Sequence, residues 1–138
     1  MISVRKQEVV KLEDVLHLYQ AVGWTNYTHQ PQMLEQALSH SLAIYMALDG
    51  DAVVGLVRLV GDGFSSVFVQ DLIVLSSYQR QGIGGALMKE ALGDFKDAYQ
   101  VQLVTDQTEK TLGFYRSLGF ETLSTYDCTG MIWVDRKR

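Results

Sequence analysis

Leu72-Ile73-Val74-Leu75-Ser76-Ser77-Tyr78-Gln79-Arg80-Gln81-Gly82-Ile83-Gly84-Gly85 is an apolar, β-branched run, then a short polar stretch, then a glycine-rich turn. Downstream, Ile83, Leu87, Ala91, Leu92 and Phe95 recur on one face of a helix. The order is therefore strand, loop, helix. Amides in the first turn of a helix lack intrahelical acceptors and face the positive end of its dipole, so a loop without Cβ atoms there can wrap a phosphate. An ordinary tight strand-to-helix turn is the other reading of Gly82, Gly84 and Gly85. A nucleotide-hydrolase loop would end in Gly-Lys-Ser/Thr, but Ala86-Leu87 follows the glycines. A dinucleotide fingerprint would place Gly or Ala where Leu87 stands, after an early βαβ unit that this sequence lacks.

Working outward, Ser66 to Leu75 reads as one strand, broken by the polar pair Gln70-Asp71. Leu42 to Leu48 and Ala52 to Val60 flank Asp49-Gly50-Asp51 and form a hairpin. Toward the N-terminus, Ile2 to Arg5 reads as a strand, and Leu12, Val15, Leu16, Tyr19 and Val22 mark a helix capped at Gly23. Trp24 to Gln30 shows no periodicity, and Pro31 opens a helix bearing Leu34, Ala37 and Leu38. Toward the C-terminus, Val101 to Thr105 is a strand. Asp106 to Ser117 is a helix opening on a capping-box-like Asp-x-x-Glu and ending at Gly119. Phe120 to Ser124 and Met131 to Val134 are expected as a terminal antiparallel pair. The fold class is α+β, in one domain spanning residues 1–138.

With 138 residues the chain can bury a core without metals or disulfides. The formal charge of -4 argues against a basic face for nucleic acid. No apolar run nears a membrane span, and Arg5, Lys6, Glu8 and Lys11 interrupt any leader-like segment, which points to the cytoplasm. Cys128 is the lone cysteine and reads as a small core or strand residue; with unclustered histidines it offers no metal site. Arg136-Lys137-Arg138 reads as a solvated tail.

Gln79-x-x-Gly82-x-Gly84 resembles the pyrophosphate signature of the GNAT superfamily of N-acetyltransferases. Phe114-Tyr115-Arg116-Ser117-Leu118-Gly119-Phe120 resembles the family's later helix-to-strand motif, and the element order matches across nearly the whole chain. Val22-Gly23-Trp24, Gln70-Asp71-Leu72-Ile73-Val74 and Gly130-Met131-Ile132-Trp133 resemble the small plastid and bacterial arylamine-type members. Ser76 replaces a frequent proline, and Thr108 and Thr111 replace a frequent asparagine and alanine, so side-chain contacts of the later helix differ from the pattern.

The resemblance implies a central, mostly antiparallel mixed sheet of about six to seven strands with about four helices. It implies acetyl-CoA as cosubstrate, with the amides of Arg80, Gln81, Gly82, Ile83, Gly84 and Gly85 on the pyrophosphate. The backbone of Leu72 and Val74 would pair with the pantetheine arm, with Thr108 and Phe114 nearby. Tyr115 matches the family's general acid, its alternative being an aromatic packed beside Leu118. Asp71 matches the aspartate assigned as base in the arylamine-type members, its alternative being a structural hydrogen-bonding group. Tyr27 and His29 are further candidates, because the family builds its acceptor site between the first two helices. The expected reaction is direct acetyl transfer to a primary amine of a small molecule, without membrane or nucleic-acid partners. A protein N-terminal or lysine acetyltransferase and a silent coenzyme A-binding module are the alternatives. A homodimer through the terminal strands is also an expectation of the family.

Overall fold

The computed structural model describes residues 1–135; the Arg136–Arg138 tail lies outside them. The chain divides into two compact units, Met1–Leu103 and a second from Val104 on.

The first unit holds β1 (Ile2–Gln7), α1 (Leu12–Ala21), α2 (Thr25–Thr28), α3 (Pro31–Ser39), β2 (Ala43–Asp49), β3 (Ala52–Gly61), β4 (Ser66–Val74), α4 (Ile83–Asp94) and β5 (Gln100–Leu103). The strands lie in sequence order in one sheet, antiparallel except for β4 with β5. Among the described residues the sheet has five strands, fewer than the six to seven expected. Trp24 to Gln30, without periodicity in the sequence, contains the single helical turn α2.

Side chains alternate between the faces of a strand, and each face is covered. Ile44, Met46, Leu56 and Ile73 pack against Val15, Leu18 and Tyr19 of α1, Tyr27 of α2, and Leu34 and Leu38 of α3. Tyr45 points the other way and donates its hydroxyl to Asp94 of α4 at 2.6 Å, which places α4 on the opposite face. There Ile83, Leu87, Met88 and Ala91 are buried. Burying a side chain the size of Leu87 contributes about 1.5–3 kcal/mol by leaving water. None of the helices is long and apolar enough to cross a membrane, among the described residues.

The second unit holds α5 (Glu109–Ser117) and a 3-10 turn, Leu123–Tyr126. The cap of α5 is Thr108, whose hydroxyl accepts the Thr111 amide, two residues beyond the expected Asp106. Gly119 ends the helix with φ of +100°. The expected terminal pair of strands is absent, and local hydrogen bonding is the reason. The Phe120 amide donates to Tyr115 O at 3.1 Å as part of the helix cap, and the amides of Thr125, Asp127 and Cys128 all close turns onto Thr122 to Ser124. Met131 to Val134 makes no ladder and is 74–94 % exposed. Cys128 is exposed and lies in no strand, contrary to its expected burial.

The β3–β4 turn depends on Gly61, which has φ of +128° and where an added Cβ would collide with the Ser66 carbonyl. Asp62 then accepts the amides of Phe64 and Ser65 at 2.7 Å each. Gly61→Ala is expected to destabilise the protein by at least about 1 kcal/mol, read as a lower urea midpoint at unchanged slope. An unchanged midpoint would mean that this turn is not constrained as described.

Candidate active site

β4 runs as one strand with two different edges. Toward β3 it is paired along its length, but toward β5 the ladder covers only Ser66–Val69 opposite Gln100–Leu103. From Gln70 onward that edge has no strand partner among the described residues. Leu75 donates its amide to Val54 O of β3 at 2.9 Å, so by strand alternation the amides and carbonyls of Leu72 and Val74 face the unpaired edge. The two residues singled out for pantetheine therefore present backbone groups to an open edge.

The edge leads into the glycine loop. The Gln79 side chain donates to Val74 O at 3.2 Å, and the Tyr78 hydroxyl donates to Asp49 Oδ2 at 2.6 Å, tying the loop to the end of β4 and to the hairpin. Arg80 and Gly82 both take left-handed backbone, with φ of +65° and +78°, and Gly82 caps α4. Left-handed residues at alternate positions are a backbone pattern from which anion-binding nests are built. The amides of Ile83, Gly84 and Gly85 stand in the first turn of α4, without intrahelical acceptors. No Cβ obstructs at Gly82 or Gly85. The loop thus fits a pyrophosphate by backbone alone.

On the face of β4 covered by α1–α3 lies a buried polar cluster. Arg58 and Asp71 are direct cross-strand neighbours, 4 % and 3 % exposed. Arg58 Nε donates to Asp71 Oδ2 at 2.8 Å. The Tyr19 hydroxyl donates to the same oxygen at 2.9 Å, and the Tyr27 hydroxyl donates to Oδ1 at 2.9 Å. Arg58 also donates through Nη2 to the Tyr27 hydroxyl at 3.2 Å and through Nη1 to Ser41 Oγ at 3.2 Å. Both carboxylate oxygens are engaged, and among the described residues no buried side-chain polar atom lacks a partner. Burial, together with the adjacent Asp71 charge, raises the pKa of Tyr19 and Tyr27 above the usual phenol value. Both remain protonated donors at neutral pH.

Of the remaining candidates, Tyr115 and Phe114 lie on α5, their rings 5.0 Å apart, with Phe120 stacked edge-on to Tyr115 at 5.9 Å. Burial, and secondarily Asp106, raises the Tyr115 pKa. Nothing among the described residues hydrogen-bonds its hydroxyl. Thr108 Oγ1 binds Asp106 at 2.6 Å and Thr111 at 2.9 Å, while its carbonyl accepts the Leu112 amide. His29 is exposed at the end of α2. Arg58 and Tyr19 were not singled out from the sequence. A lone arginine in the apolar run Val53 to Val60, on the strand next to that of Asp71, was the available signal.

A family model for the acetyltransferase (GNAT) domain matches residues 40–122, more than half of the chain. The chain belongs to the GNAT acetyltransferase family. A GNAT family acetyltransferase from Streptococcus pneumoniae TIGR4 is 80 % identical, with 99 % of each chain covered and a TM-score of 0.92. The chloroplastic GCN5-related N-acetyltransferase 1 of Arabidopsis thaliana is 28 % identical over 97 % of this chain and 68 % of its own length. The chloroplastic serotonin N-acetyltransferase 2 of Oryza sativa is 30 % identical over 66 % of this chain and 48 % of its own. This GNAT chain is an N-acetyltransferase of a family that uses acetyl-CoA.

The raised tyrosines carry a pH signature. Burial raises Tyr19, and burial with the hydrogen bond to Asp94 raises Tyr45. A phenol whose folded pKa lies above its unfolded value of about 10 contributes stability that is complete below pH ~10 and drains as pH rises toward the folded value, because the unfolded chain releases protons that the native state keeps. The melting temperature is expected to fall steeply from about pH 9.5 to about pH 11, with a shallower fall in Tyr45→Phe, followed by circular dichroism. Parallel profiles for the two proteins would remove Tyr45 from the account.

Proposed function

We infer that the chain transfers an acetyl group from acetyl-CoA directly to a primary amine of a small molecule. The observation that carries this is the unpaired β4 edge at Leu72 and Val74, which runs straight into the amide nest at Arg80 to Gly85. The amides of Arg80, Gln81, Gly82, Ile83, Gly84 and Gly85 would hold the pyrophosphate, and the Leu72 and Val74 backbone would pair with the pantetheine arm as an added strand. The thioester supplies the acetyl group.

As the amine nitrogen bonds to the carbonyl carbon and the carbon–sulfur bond breaks, a backbone amide of β4 would stabilise the charge on the carbonyl oxygen. Tyr115, whose hydroxyl has no acceptor among the described residues, would donate its phenolic proton to the departing thiolate and recover one from solvent, while the nitrogen releases its extra proton to water to leave the amide. Phe114 shapes its surroundings. Thr108 spends its polar groups on starting α5, which makes it structural in this reading. Asp71 offers an incoming ammonium no free oxygen, so the amine would shed its proton to water before attack. The rice relative's name, serotonin N-acetyltransferase, supports a small-molecule amine as acceptor.

A screen of acetyl-CoA against serotonin, spermidine, an amino sugar and a lysine peptide, with free thiol as readout, is expected to give turnover on a small amine. Turnover on the peptide alone would make the chain a protein acetyltransferase, and bound acetyl-CoA with no turnover would make it a silent module. Tyr115→Phe is expected to lower kcat by about 10²–10⁴-fold with acetyl-CoA affinity retained. An unchanged rate would take Tyr115 out of the acid role.

A further inference from the structure

The Tyr27 hydroxyl is a hub out of proportion to the element that carries it. α2 is a single turn, Thr25–Thr28, too short to persist by its own backbone hydrogen bonds. Yet its Tyr27 hydroxyl donates to Asp71 and receives Arg58 Nη2, with Gln70 Nε2 approaching at 3.5 Å. Gln70 is itself an extra residue in β4: the register with β3 passes from Arg58↔Asp71 to Leu59↔Val69 and skips it. This bulge, where the ladder to β5 also ends, brings Asp71 and Gln70 together beneath α2.

Tyr19 closes the arrangement from α1. Its hydroxyl takes the second Asp71 oxygen, and its ring meets Tyr27 edge-on at 5.0 Å and Trp24 at 6.1 Å. Trp24 stands at the N-cap of α2, half-buried, packed against the core that includes Tyr19 and Tyr27 and partly open to solvent. Leu72, whose backbone faces the open edge, follows Asp71 directly.

We propose that Arg58, Asp71 and Tyr19 are positioning residues that act through the Tyr27 hydroxyl to hold α2, with Trp24 at its head, as the acceptor-side wall beside Leu72. This assignment rests on the acetyl-transfer reading above. It replaces a proton-accepting role for Asp71 with a geometric one: the carboxylate orients an aromatic wall and does not touch the amine.

The test uses Trp133→Phe as background, which leaves Trp24 as the single tryptophan. Into it go Tyr27→Phe, Asp71→Asn and, as a control on the other face of the sheet, Tyr45→Phe. Amide exchange is expected to rise about tenfold across residues 24–30 in Tyr27→Phe, with the sheet unchanged, and Trp24 is expected to become more open to acrylamide quenching. The control should show neither change. With serotonin as probe, KM for the amine is expected to rise about fivefold to tenfold in Tyr27→Phe and Asp71→Asn, while KM for acetyl-CoA and the shape of the pH profile stay put.

Unchanged exchange and quenching in Tyr27→Phe would overturn the proposal. So would an Asp71→Asn enzyme that loses the acidic limb of its pH profile at unaltered amine KM, because that pattern belongs to a base. Absence of turnover with serotonin bears on the acetyl-transfer reading. Exchange and quenching are read without any amine and decide the holding of α2 separately.

Discussion

An arginine and an aspartate face each other across β3 and β4 inside the protein, and much of the first unit is arranged to make that tolerable. Two charges out of water cost several kcal/mol each unless nearly every donor and acceptor is matched. Here Arg58 and Asp71 meet at 2.8 Å, and the remaining carboxylate positions are taken by two tyrosines. Those tyrosines must come from elements lying over that point of the sheet. The packing of α1 and α2 is thereby tied to a single cross-strand pair, and removing either charge would leave the other buried without its partner.

The same stretch of β4 governs its other edge. Because Gln70 is inserted at the bulge, residues beyond it are offset against β3 relative to those before it. The parallel ladder to β5 ends at Val69, just before this point. Leu72 and Val74 then have backbone groups with the direction of a strand edge but, among the described residues, no strand beside them. Recognition of a ligand along such an edge runs through backbone groups and needs little side-chain identity.

The strand–loop–helix unit was legible because its signals are local. β-branched runs, the glycines of the loop, Pro31 at the head of α3 and Gly119 at the end of α5 each act through the backbone within a few residues. The terminal strands were misread for a related reason. Phe120 to Ser124 and Met131 to Val134 have strand-like composition, but composition does not report that the Phe120 amide is already used by the α5 cap and that Thr125, Asp127 and Cys128 close turns. β-propensity describes a side chain suited to a pleated surface, and it forms a strand only where a partner edge is available.

For the site, the sequence by itself carried the family's signals: glycines that permit left-handed backbone at the head of a helix, an apolar strand before them, and a tyrosine in a recognisable helix-to-strand motif. It also marked Asp71 as an anomaly in that strand. Which groups Asp71 meets was decided only by tertiary structure, because its partners lie 13 residues away at Arg58, 44 at Tyr27 and 52 at Tyr19. A carboxylate's chemistry is set by the donors around it and by its access to water. Neither quantity exists until the sheet and the helices above it have come together.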